Sequence, residues 1–124
     1  MTKRVLDVGN CDYDHGRIRR LIESSFQAQV VRCHGASDAL AELQRQPADL
    51  VLVNRILDLD QTEGLSIIET IKSDPQLRAT RCMLLTNYPE FQATAVAAGA
   101  EPGFGKGQLA EEATRKRLAQ WLAD

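Results

Sequence analysis

Long apolar runs are missing from this chain of 124 residues. A helix that crosses a bilayer needs roughly 20 consecutive apolar residues, and no stretch of the sequence comes close to that. After Thr2-Lys3-Arg4 the N-terminus passes straight into a short apolar run, so the long hydrophobic region of a signal peptide is also missing. These absences argue against a membrane-spanning or secreted protein, and we expect a cytoplasmic one.

Cysteines are few: Cys11, Cys33 and Cys82. An odd, small number does not indicate a disulfide framework. No two of them lie within four residues of each other, so the spacing of a metal site is missing as well. Cys33 and Cys82 stand in apolar runs and are predicted to be reduced core residues, whereas Cys11 stands in a predicted loop.

A dominant charge of one sign is also missing, because 15 basic residues face 17 acidic ones and the net charge is −2. We therefore expect no bulk attraction to nucleic acid or to an anionic membrane. A hydrophobic fraction of 44% and a charged fraction of 26% are ordinary for a soluble globular protein. The length suits one hydrophobic core, and we predict a single domain over residues 1–124.

Short apolar runs alternate with stretches of helical periodicity. The first helical stretch carries an apolar stripe from Ile18 to Phe26, the second is predicted to begin at Ser37, and the fourth is predicted to run from near Asn87 to Gly99. Strands are predicted at 4–8, 29–33, 50–54 and 82–86, with a weak fifth at 103–105. This alternation predicts an α/β protein of the flavodoxin-like (βα)5 type, a three-layer sandwich whose parallel five-stranded sheet has the order 2-1-3-4-5.

In a sheet of this kind, ligands bind outside the carboxyl ends of the strands. The predicted strand ends direct attention to four places: the loop 9–14, Asn54, Thr86 and Lys106. This expectation depends on the fold class alone.

Three segments, in their order along the chain, resemble the receiver domains of bacterial response regulators. Segment 48–54 (ADLVLVN) resembles the third strand, which in that family ends in the phosphate-accepting aspartate and here ends in Asn54. Segment 83–86 (MLLT) resembles the fourth strand with its hydroxyl, here Thr86. Segment 95–101 (AVAAGAE), followed by Lys106, resembles the family's Ala-Gly-Ala-Asp stretch and its active-site lysine. The resemblance covers essentially the whole chain and implies a role in two-component phosphorelay signalling.

The chain departs from that family where a receiver holds its metal and phosphate. Two adjacent acidic residues normally follow the first strand and help to hold Mg²⁺, whereas Gly9 and Asn10 stand there, and Asn54 replaces the phosphate acceptor. Mg²⁺ prefers carboxylate oxygens, and an amide is a poor nucleophile. With these departures, the resemblance predicts no metal site, no cofactor and no catalytic residue.

Three further positions depart from the family. Asp58 stands where a proline is usual, in a lengthened loop after the third strand. The aromatic switch position aligns with Gly103, and the neighbouring Phe104 takes its place if the fifth strand is shifted. Gly107 replaces the proline that usually follows the lysine. The stretch 103–107 also fails as a Walker phosphate loop, so we predict no nucleotide cofactor.

Displaced aspartates leave an alternative open. Asp12 or Asp58 could restore an oxygen ligand for Mg²⁺ and accept phosphate, but Asp12 and Asp14 are expected to cap the first helix and Asp58 to be a solvated loop acid. A buried lysine without a partner is costly. Lys106 is therefore predicted to contact Asp7, Asp12 or Asp58, or to stay in solvent.

We expect a binding module and not an enzyme: an atypical receiver domain, alone or part of a longer protein, that signals by phosphorylation-independent protein–protein contact. Receivers commonly dimerise or dock through helix four, strand five and helix five, which implies a surface at 90–98 and 111–117 for a second copy, a histidine kinase or an output protein. The alternatives are a phosphorelay receiver that uses a displaced aspartate with Mg²⁺, and a flavodoxin-like module that binds a small ligand.

Overall fold

The sheet is built on β3, Leu50–Asn54, all five residues of which are buried. Continuous apolar sequence of this kind suits a strand that is covered on both faces. In the computed structural model, which describes residues 2–124, β3 lies at the centre of a parallel five-stranded sheet with the order β2-β1-β3-β4-β5. The predicted flavodoxin-like fold is therefore confirmed. The other strands are β1 (Lys3–Val8), β2 (Ala28–Cys33), β4 (Cys82–Leu85) and β5 (Glu101–Phe104).

Five helices cover the two faces of the sheet. They are α1 (Asp12–Ser25), α2 (Ala36–Arg45), α3 (Leu65–Ser73), α4 (Pro89–Ala97) and α5 (Glu112–Leu122), and a 3-10 turn at Lys106–Gln108 precedes α5. Alternate side chains of each strand point to opposite faces, so two separate cores form. Ile18 and Leu118 belong to the core on the α1 and α5 side, and Ile68 and Ala95 to the other. None of the helices within residues 2–124 has the length and apolar character to cross a membrane.

One helix and one strand begin earlier in the structure than the sequence predicted. Helix α2 begins at Ala36, one residue before Ser37, because the carboxylate of Asp38 accepts the backbone N–H groups of His34 and Gly35 at 2.7 and 2.9 Å. Strand β5 begins at Glu101, two residues before the predicted start. It is an edge strand with Pro102 inside it and an irregular register against β4, so its sequence carries little strand signal.

Candidate functional site

A polar cleft of about 290 Å³ opens at the carboxyl edge of the sheet. Its walls include Asn54, Thr86, Lys106 and Asp58, four of the residues to which the sequence directed attention. The wall also contains Cys11, Asp14, Arg55, Asn87 and Tyr88. The fold thus brings together residues that are far apart in the chain, because the carboxyl ends of parallel strands share one edge.

Asn54 ends β3 and is only 9% exposed. Its Nδ2 donates a hydrogen bond to the carbonyl oxygen of Gly9 at 3.0 Å, which ties β3 to the loop after β1. An aspartate lacks the N–H group for this bond. The Asn54 amide therefore has a main-chain partner at the position that the resemblance aligned with a receiver's phosphate acceptor.

Gly9 adopts a conformation that suits glycine, with φ of +82°. A Cβ at this position would lie 2.3 Å from Cδ2 of Leu57, and the Gly9 carbonyl oxygen also accepts the backbone N–H of Asp58 at 2.9 Å. A positive φ and a close neighbour both disfavour any side chain here. The loop conformation therefore leaves no space for an acidic side chain at position 9.

Asn10 is 2% exposed, and its Nδ2 donates to Oδ1 of the fully buried Asp7 at 2.5 Å. The other carboxylate oxygen of Asp7 lies 2.7 Å from Nδ1 of His15. Asn10 Oδ1 is buried without a hydrogen-bond partner in residues 2–124. Asp7 thus bonds to both Asn10 and His15 beneath the surface, and neither Asp7 nor Asn10 lines the cleft.

Lys106 has a partner that the sequence did not single out for it. Its Nζ donates to Oδ2 of Asp14 at 2.8 Å, so the prediction of Asp7, Asp12 or Asp58 as partner is wrong. Asp14 is in the first turn of α1, and the packing of α1 against the loop after β5 brings the two residues together. Burial alone would raise the pKa of Asp14, but hydrogen bonds with Lys106 and Cys11 and the charges of Lys106 and Arg17 together outweigh it and hold that pKa below its usual value.

Asp12 and Asp58 do not lie together. The Asp12 side chain is 94% exposed and pairs with Arg32 at 2.6 Å, away from the cleft, and the hydrogen bond from Arg32 lowers the pKa of Asp12. The expected cap is wrong as well: Cys11 is the N-cap of α1 and makes no side-chain cap bond. Asp58 is exposed and does line the cleft.

The residues of the altered pocket do not fit a receiver's Mg²⁺ site. Gly9 carries no ligand, Asn54 bonds to a main-chain carbonyl group, and Asn10 is held by Asp7. Residues 2–124 contain no group of three or more His, Cys, Asp or Glu side chains placed to hold a metal ion.

Thr86 and the predicted switch positions lie near the ends of β4 and β5. Thr86 is 7% exposed, and its hydroxyl oxygen accepts the backbone N–H of Tyr88 at 3.2 Å. Phe104 pairs with Leu85 in the register and is buried in the core on the α1 and α5 side. A side chain at this register position points into the core, so Phe104 does not take the place of a switch residue at the surface.

Gly103 faces α4, and Gln92 of α4 fills the space beside it. Nε2 of Gln92 donates to the carbonyl oxygen of Leu84 at 2.8 Å, and its Oε1 accepts the backbone N–H of Gly103 at 2.9 Å. A Cβ on Gly103 would lie 2.3 Å from the Leu84 carbonyl oxygen. A glutamine that bonds both strands therefore occupies the place where the resemblance implied an aromatic side chain.

Arg55 is a cleft residue that sequence reasoning missed. Its guanidinium carbon lies 4.5 Å from the ring centroid of Phe91 and 5.6 Å from that of Tyr88. The one signal in the sequence was its position directly after Asn54. Stacking on α4 depends on tertiary packing, which local sequence does not reveal.

Solved structures with the same fold include response regulators and their receiver domains. The signal receiver domain of a DNA-binding response regulator protein (merR) from Colwellia psychrerythraea 34H is 23% identical with a TM-score of 0.80, and the match covers 95% of this chain and 96% of that one. The chemotaxis protein CheY4 of Vibrio cholerae is 19% identical with a TM-score of 0.80, covering 98% and 100%. The Mn²⁺-bound form of response regulator Rcp1 is 16% identical with a TM-score of 0.77, covering 98% and 95%.

Comparison with protein-family models gives no match, and comparison with curated proteins gives none either. At these identities the structural likeness concerns the fold. The chain has the fold of response-regulator receiver domains.

Proposed function

We propose that the chain is an atypical response-regulator receiver domain that takes part in signal transduction by phosphorylation-independent contact with a protein partner. The observation that carries this proposal is the hydrogen bond from Asn54 Nδ2 to the Gly9 carbonyl oxygen, at the position of the phosphate acceptor. An amide in this bond supplies neither a carboxylate nucleophile nor a metal ligand of the usual kind. In this proposal the domain is a cytoplasmic binding module and not an enzyme.

The second candidate function is a phosphorelay receiver that accepts phosphate through a displaced aspartate. Two carboxylates line the cleft, those of Asp14 and Asp58. Asp58 is the better acceptor, because Asp14 is engaged by Lys106 at 2.8 Å. Asp12, the other displaced candidate, lies outside the cleft and pairs with Arg32. Phosphoryl transfer depends on in-line placement of acceptor and charge, which disfavours this alternative.

Incubation with acetyl phosphate and Mg²⁺, followed by intact mass measurement, tests the proposal. We expect the mass to stay unchanged. A gain of one phosphoryl group would contradict the proposal, and its loss in Asp58→Asn but not in Asp12→Asn would establish the displaced acceptor. A receiver with an intact aspartate acceptor, treated in parallel, shows that the donor is active.

The surface for contact is proposed on the resemblance to receivers. Exposed residues of α4 and α5 flank β5, and they include Val96 and Glu112. This surface suits a second copy of the chain, a histidine kinase or an output protein. Light scattering over a range of protein concentrations measures the dimer, and Val96→Asp should weaken it if this surface forms it.

A further inference from the structure

We propose that the cleft receives an acidic side chain of the partner protein, with Arg55 as the residue that binds its carboxylate. The exposed Tyr88, which lines the cleft beside Arg55, contacts an apolar residue next to that acid, and the exposed Tyr13 and Leu59 extend the contact surface along the same edge of the sheet. This inference rests on the proposed function, since it names the contact surface and the chemistry of the partner of the same binding module.

Arg55 is held in a position that leaves its hydrogen-bond donors available. Its guanidinium lies over Phe91 at 4.5 Å, and Phe91 is in turn in edge-to-face contact with Tyr88, with 6.0 Å between the ring centroids. Stacking on rings uses the face of the planar group and leaves the N–H donors at its edge to bind a carboxylate in a bidentate way. The arrangement is pre-ordered, which lowers the entropic cost of binding.

Arg55 also has no carboxylate partner in the part of the chain that the structure describes, whereas Arg17 and Arg32 each have one. Of the two carboxylates that line the cleft, Asp14 is paired with Lys106 at 2.8 Å. Asp58 is exposed, so water and salt screen its charge. Arg55 is therefore the charged residue of the cleft that lies against aromatic rings without an ion-pair partner within residues 2–124.

Apolar side chains surround the same edge of the sheet. Four large hydrophobic residues are exposed within residues 2–124, and three of them lie here: Tyr13 at 73%, Leu59 at 69% and Tyr88 at 52%. They come from the first turn of α1, the loop after β3 and the loop after β4. Of the three, Tyr88 also lines the cleft, beside Arg55. Exposed apolar residues at one edge of a sheet mark an interaction site, and tyrosine and arginine are among the residue types that contribute most at protein interfaces.

A displayed library of random peptides, selected on the full chain, tests the inference. We expect the enriched peptides to share an aspartate or glutamate beside large apolar residues. Their affinity should fall about tenfold or more for Arg55→Ala and stay unchanged for Arg78→Ala, an exposed arginine at the opposite edge of the sheet. Arg55→Lys keeps the charge without the planar group and should bind with intermediate affinity.

A peptide in which the acid is replaced by its amide completes a double-mutant cycle. This change in the peptide should weaken binding to the wild type by the same factor as Arg55→Ala weakens binding of the acidic peptide. Combining the two changes should cause no further loss of affinity. Thermal melting of each variant shows whether it is folded. Peptides without an acid, or peptides that Arg55→Ala still binds, would overturn the inference. So would binding of inorganic phosphate at Arg55 without any acidic peptide, which would indicate a small-anion site.

The acetyl phosphate assay on the same preparation separates the two proposals. A phosphoryl gain would contradict the proposed function. An unchanged mass together with peptides that bind around Val96 of α4 would contradict only the docking site at Arg55.

Discussion

Lys106, in the loop after β5, donates a hydrogen bond to Asp14 of α1, with 2.8 Å between Nζ and Oδ2. The two side chains are 28% and 18% exposed, so the pair is partly shielded from solvent. This contact satisfies the lysine without any carboxylate at position 54. The positive charge of Lys106, the residue that resembles a receiver's active-site lysine, is therefore compensated by Asp14 in the first turn of α1.

Asp14→Asn should lower the free energy of unfolding by about 1 kcal/mol at pH 7, the size expected of a partly exposed ion pair. The folded-state pKa of Asp14 lies below the usual 3.8, so its stabilising effect is present above that value and is lost as the pH falls through the folded-state pKa. Urea unfolding of both proteins between about pH 7 and pH 3 should show the difference shrinking. Glu112→Gln, in an exposed pair 3.8 Å long, is the control, and a difference independent of pH would contradict the prediction.

Asn54→Asp should destabilise the protein by about 1–3 kcal/mol at neutral pH, because a buried carboxylate would face the Gly9 carbonyl oxygen without a hydrogen to donate. Below about pH 4 the acid becomes protonated and can donate again, so part of the loss should be recovered. Urea unfolding at the two pH values measures this, with the exposed Asn87→Asp as control. If Mg²⁺ restores the stability of Asn54→Asp at neutral pH, the metal site is intact and the account of the pocket is wrong.

Gly9→Ala and Gly16→Ala should change stability in opposite directions. At Gly9 the new Cβ meets Leu57 at 2.3 Å in a backbone with φ of +82°, and we expect a loss of about 1–3 kcal/mol. At Gly16, inside α1, nothing lies within 4 Å of the new Cβ, and alanine should add about 0.5–1 kcal/mol. Equal changes in the free energy of unfolding for the two variants would refute the loop geometry. The same geometry predicts that an acidic residue at position 9 lowers stability.

Gln92→Ala should cost about 1–2 kcal/mol, because it leaves the Gly103 N–H and the Leu84 carbonyl group without this partner. Hydrogen exchange should show faster exchange at the Gly103 amide, since the bond that protects it is lost. The exposed Gln120→Ala on α5 is the matched control and should leave both measurements unchanged. Unchanged protection of Gly103 in Gln92→Ala would rule out this contact between α4 and β5.

The local hydrophobic pattern of the sequence was enough to predict the architecture and the edge of the sheet at which the cleft lies. Residues 50–53 are apolar without interruption, whereas Ile18 and Ile22 are four residues apart, as are Leu118 and Leu122. Strand and helix were therefore distinguishable from neighbours a few residues away. The ends of elements were less predictable. The cap of α2 depends on which of Ser37 and Asp38 reaches the main chain, and a short polar stretch permits both.

By itself the sequence determined the fold class and the identities at Gly9, Asn10 and Asn54, because hydrophobic periodicity and residue type are local properties. The strand order was predictable only through the general rules for alternating strands and helices. Only the tertiary structure decided the contacts between these residues and the rest. Lys106 is 92 residues from Asp14, and several aspartates lie near the same edge, so its partner depended on how α1 packs. The stacking of Arg55 on Phe91 likewise depended on where α4 lies, since side-chain contacts follow from distances that the order of residues does not specify.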